Sequence, residues 1–106
     1  MKIIVRETRT PKLHDDILHK YNIYIPCGKN MYVNIYTCMC CTETFTVCQS
    51  KTDEPDTGVT INDIPIKTLK HWYTDLQNKP STLIKHYDLI MHTLKTLIEQ
   101  RSKVYE

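Results

Sequence analysis

The sequence predicts an α+β fold: an antiparallel sheet of three to five strands packed against two C-terminal helices, with a short N-terminal helix as an optional addition. Residues 22–48 hold Ile-, Val- and Tyr-rich segments that alternate in polarity and are separated by turn formers. Residues 63–103 instead place apolar residues at three- and four-residue steps. At 106 residues the chain is too short for two independent domains, so all of it is expected to form a single domain.

Lys2 to Arg9, KIIVRETR, opens with a β-branched apolar run and turns charged, as in a strand whose first half is buried. Thr10 and Pro11 end it. Leu13, Ile17 and Leu18 then have helical spacing, which predicts the short helix over Pro11 to His19, with Pro11 suited to a first helical turn. Asn22 to Pro26 and Met31 to Cys38 form a hairpin around CGKN, where Gly28 and Asn30 supply the turn. In TETFTVCQ, Thr42, Thr44, Thr46 and Cys48 alternate with Glu43, Phe45 and Val47, and the bulkier Phe45 and Val47 are expected to face the core. Short connections make these three strands an antiparallel meander.

Ser50 to Gly58, SKTDEPDTG, reads as an exposed loop, and Val59 to Ile61 as a brief further strand. Asp63 is expected to cap a helix with Pro65 in its first turn and Ile66, Leu69, Trp72, Tyr73 and Leu76 on its apolar face; Asn78 and Pro80 end it. Ser81 caps the longest element, which runs to about Lys103. Leu83, Ile84, Tyr87, Ile90, Met91, Leu94, Leu97 and Ile98 form its stripe. About 22 residues extend roughly 33 Å, farther than a sheet of this size is wide. Tyr87, Ile90, Met91, Leu94, Leu97 and Ile98 are therefore the expected partner-binding surface, for another protein or for a second copy in a homodimer. The competing reading is that the stripe covers the chain's own sheet.

Composition narrows the chemistry. Fourteen Lys and Arg against twelve Asp and Glu give a net charge of +2, which does not separate a nucleic-acid binder from an ordinary protein, because a phosphate-tracking surface needs clustered Lys and Arg. Lys67, Lys70, Lys79 and Lys85 flank Trp72 and Tyr73, which keeps a nucleic-acid edge as the less favoured alternative. Two glycines cannot build a phosphate loop or a dinucleotide fingerprint. No apolar run approaches the roughly 18 to 20 residues of a membrane span, and MKIIVRETR turns charged too early for a secretory signal. The expectation is a soluble intracellular protein of cytoplasm or nucleus, with no membrane partner. Alanine is absent while Ile, Lys, Asn, Thr and Tyr abound, a usage that follows from AT-rich codons such as those of many viruses.

Four of the five cysteines lie in Thr37 to Cys48, TCMCCTETFTVC. Cys38 and Cys41 have the C-x-x-C spacing of a zinc knuckle, placed at a turn between strands. A second knuckle is missing, and a meander puts Cys27 and Cys48 about 23 Å away at the other end of the sheet. Cys38, Cys40 and Cys41 would need His14 or His19 to complete a zinc site. The expected cofactor is none, with zinc at Cys38 and Cys41 as the alternative. A thioredoxin-like role is disfavoured because a strand, not a helix N-terminus, follows the C-x-x-C pair.

Nothing selects a catalytic constellation. His14 and His19, like His86 and His92, are not one helical turn apart, and the adjacent Asp15 and Asp16 diverge on a helix. The function expected is a non-enzymatic protein-binding or regulatory module, a viral accessory protein acting on a host or viral protein. A zinc-supported nucleic-acid or transcription accessory protein is the alternative.

Overall fold

In the computed structural model, which describes residues 3–7, 20–50 and 59–104, the first half is a four-stranded antiparallel meander. Its strands are β1 (Ile4–Glu7), β2 (Tyr21–Gly28), β3 (Met31–Thr37) and β4 (Thr44–Ser50), in the order β1-β2-β3-β4. Helices α1 (Ile66–Gln77) and α2 (Tyr87–Val104) follow, each preceded by a 3₁₀ turn, at Ile61–Asp63 and Ser81–Leu83. The predicted α+β class and the C-terminal pair of helices are therefore both present. The helix predicted over Pro11 to His19 and most of the loop from Ser50 to Gly58 lie outside the described residues. Among the described residues, no helix is long and apolar enough to cross a membrane.

Cross-strand register makes the inner sheet face continuous. Val5 opposes Ile23, Ile23 opposes Ile35, and Ile25 opposes Val33. All five are buried. Leu69, Trp72 and Leu76 from α1, Ile90, Leu94 and Leu97 from α2, and Ile64 from the connection complete the core. Arg101 near the end of α2 donates to the carbonyls of Ile64 (2.6 Å) and Ile61 (3.3 Å), tying the helix back to the segment that leads into α1. At the β2–β3 hairpin the left-handed backbone falls on Asn30 (φ 60°), a residue that tolerates it. The register shifts between Pro26 and Gly28, as in a β-bulge, around Cys27.

Three expectations are corrected. Val59 to Ile61 is not a strand: Thr60 donates its backbone N–H (2.7 Å) and hydroxyl (3.2 Å) to the Asp63 carboxylate, closing a 3₁₀ turn at Ile61–Asp63. Local bonding of this kind competes with a sheet ladder. Asp63 thus serves that turn, and α1 begins after Pro65, whose carbonyl accepts from Thr68 (2.9 Å) and Leu69 (3.3 Å). Nor is the last helix continuous from Ser81. His86 has φ 61°, which a right-handed helix cannot contain, so the helix starts at Tyr87 and Leu83 is left outside the stripe. Its 18 residues span about 27 Å, within the molecule's smallest extent of 29 Å.

The third correction concerns β4. Thr37 opposes Thr44, Ile35 opposes Thr46 and Val33 opposes Cys48, so Thr44, Thr46 and Cys48 share the inner face. Phe45 and Val47 point outward, 37% and 44% exposed. The reason lies at the corner under α1. Trp72 is fully buried, and its indole N–H donates to Thr37 Oγ1 at 2.8 Å. A buried indole N–H demands such an acceptor, which puts a threonine on the inner face there and carries its partner Thr44 inward with it.

Thr44 is fully buried, and its hydroxyl has no hydrogen-bond partner among the described residues. Thr44→Val removes that unsatisfied group at constant shape and is expected to stabilise the fold by about 1 kcal/mol in urea unfolding. A loss of similar size would show that the hydroxyl is paired.

Candidate functional site

The six residues between β3 and β4, Cys38 to Glu43, form a tight turn. Thr42 N–H donates to the Cys38 carbonyl (2.9 Å) and Cys38 N–H to the Glu43 carbonyl (2.8 Å), with Thr42 itself left-handed at φ 59°. This geometry gathers Cys38, Cys40 and Cys41, whose sulfurs all lie within 4.8 Å of one another. The sulfurs of Cys38 and Cys40 are 3.0 Å apart. Cys40 and Cys41 are exposed and Cys38 is half-buried, so solvent reaches the group.

Helix α1 holds this turn from one flank. His71 and Asp75 lie one turn apart on α1 and share a ridge beside its apolar face, and Lys79 follows four residues later, just past the helix end. His71 Nε2 is 3.0 Å from the Thr42 carbonyl, an oxygen that can only accept, so that nitrogen carries the proton. Asp75 accepts from the Thr44 backbone N–H at 2.9 Å and lies 3.5 Å from His71. Lys79 pairs with Glu43 at 3.3 Å and stands 4.9 Å over the Phe45 ring, which is tilted against Tyr36 at 5.9 Å between centroids. Glu43 in turn lies 3.9 Å from the Cys41 sulfur. The thiols and the outward aromatic residues therefore belong to one connected surface.

Hydrogen bonding divides the thiols electrically. The hydrogen bond between the Cys38 and Cys40 sulfurs, helped by the backbone N–H groups of Cys41 and Cys40, lowers the Cys38 pKa to about 7. The same bond pushes Cys40 up. At the other end of the sheet, burial raises Cys27, the nearby Cys48 adds to the rise, and Lys85 opposes it. The predicted split of the cysteines between two ends of the meander is thus present.

The other residues singled out from sequence fall elsewhere. Cys38 and Cys41 come together, with Cys40 as a third member that the C-x-x-C pattern leaves out. His14 and His19 lie outside the described residues. Of the α2 stripe, Ile90, Leu94 and Leu97 are buried in the domain's own core, while Tyr87, Met91 and Ile98 are half-buried. Trp72 is sealed in the core and has no face on which a base could stack. Sequence reasoning missed His71, Asp75 and Lys79 for this site; the four-residue spacing of His71 and Asp75 on α1 is the signal that marks them as neighbours.

Cys38 should alkylate first among the five thiols, with a rate that climbs as pH rises through about 7, because only the thiolate reacts. Cys27, with its raised pKa, should lag well behind at neutral pH. Mass-spectrometric mapping of limited iodoacetamide labelling from pH 6 to 9 reads this order, and equal rates for Cys27 and Cys38 would contradict the geometry of the turn.

No family model, curated protein or solved structure matches the chain, so the chemistry of this surface is read from its own residues.

Proposed function

We infer that the protein is a non-enzymatic binding module that docks an extended segment of another protein along the β4 edge, next to the three-cysteine turn. One observation carries this reading. Strand β4 presents its bulky apolar residues, Phe45 and Val47, to solvent, and Phe45 does so beside an open apolar cleft.

The surroundings support it. The large hydrophobic side chains most exposed among the described residues are Phe45, Val47 and Leu83, the last at 79%. Phe45 and Leu83 line one cleft of about 370 Å³, together with Thr46, Lys79, Pro80 and Ile84. Strand β4 pairs only with β3 among the described residues, so its outer edge offers main-chain groups to a further strand. Main-chain pairing supplies affinity in such docking, and a cleft that takes an apolar side chain supplies selectivity. The α2 stripe is the weaker choice, since Ile90, Leu94 and Leu97 are occupied by the core.

A Phe45→Ser, Leu83→Ser double variant is expected to stay folded while losing about 1 to 3 kcal/mol, because Leu83 is exposed and Phe45 gives up its contacts with Tyr36 and Lys79. Its partner binding should fall by at least about 30-fold, the loss of a hot-spot anchor of roughly 2 kcal/mol. Proximity labelling in cells with the parent, this variant and a Met91→Ser, Ile98→Ser variant separates the two surfaces. A stoichiometric partner lost only from the first variant supports the β4 edge; one lost only from the second assigns the function to α2.

A further inference from the structure

The three thiols of the β3–β4 turn meet without the help of any other element. Cys38, Cys40 and Cys41 supply one sulfur each, all within 4.8 Å, and among the described residues no fourth Cys, His, Asp or Glu joins the group. Bound to one ion at about 2.3 Å, three sulfurs in a plane stand roughly 4 Å apart. The present spacings, from 3.0 Å between Cys38 and Cys40 up to 4.8 Å, bracket that value.

Structural zinc calls for four ligands in a closed tetrahedron, and the described residues bring three together. His71 is turned to the Thr42 carbonyl and one Glu43 oxygen is held by Lys79. A soft monovalent ion is satisfied by two or three thiolates alone, and thiolate sulfur selects such ions. The turn is also prepared for one: two backbone hydrogen bonds and the side chains of His71, Asp75 and Lys79 hold it.

We propose that Cys38, Cys40 and Cys41 form a three-thiolate site for a cuprous ion. As each sulfur–copper bond forms, the thiol releases its proton to solvent; the ion stays monovalent and no electron changes hands. Cys27 and Cys48, at the far end of the sheet, take no part.

Anaerobic titration of the full chain with cuprous ion, in competition with a colorimetric cuprous chelator, tests the site. One ion per chain is expected, retained by a Cys27→Ser, Cys48→Ser variant. In Cys40→Ser and in Cys41→Ser the affinity should drop by more than about 100-fold, beyond what loss of a merely supporting group costs. Both residues are exposed, so circular dichroism should show the fold intact. Zinc added in equal amount should not displace the copper. Failure to hold copper against the chelator, unchanged affinity in the Cys40 and Cys41 variants, or displacement by equimolar zinc would each overturn the assignment.

Discussion

The hydrogen bond from the Trp72 indole to Thr37 at the end of β3 is the constraint on which the rest of the described surface depends. Trp72 is the largest fully buried side chain, and its one polar atom must find an acceptor inside the core. Thr37 provides it, and in doing so sets the inner face at the corner where β3 ends. Thr44, its cross-strand partner, follows it inward. Phe45 and Val47 are then left outside. A single buried polar requirement thus decides which side of β4 meets solvent, and with it where an apolar docking surface exists.

The same corner positions the cysteines. His71 and Asp75 flank Trp72 in sequence and bond the backbone on the far side of the turn, at the Thr42 carbonyl and the Thr44 N–H. Lys79, one turn farther along, adds an exposed pair with Glu43 whose energetic contribution is small, about 0 to 1 kcal/mol. The anchoring therefore rests on the backbone hydrogen bonds and the buried indole. Because α1 packs into the core through Leu69, Trp72 and Leu76, the thiols are presented by a loop fixed to the hydrophobic core. Such support is what a preformed ligand site requires.

Much of the scaffold could be read from residue order. The β2–β3 hairpin follows from Gly28 and Asn30 between alternating strands, and the two helices follow from their apolar steps. The phase of β4 could not be read, since TETFTVCQ alternates equally well in either sense and the deciding contact lies 35 residues away, between Trp72 and Thr37. The start of α2 escaped for a related reason: His86 takes a left-handed conformation that its residue type does not announce. At the cysteine turn, residue order already groups Cys38, Cys40 and Cys41, but not how closely they meet, which depends on the turn that the left-handed Thr42 helps to close.

The central claim is that α1 fixes the β3–β4 turn, and native-state hydrogen exchange at the Thr44 amide tests it most directly. In the parent chain this amide should be protected by its bond to Asp75. In an Asp75→Ala variant it should exchange at least about 10-fold faster, a loss of roughly 1.4 kcal/mol, while Ile23 and Ile35 in the sheet centre keep their protection. A Thr44 amide that exchanges freely in the parent, or that is unaffected by removal of Asp75, would contradict the account.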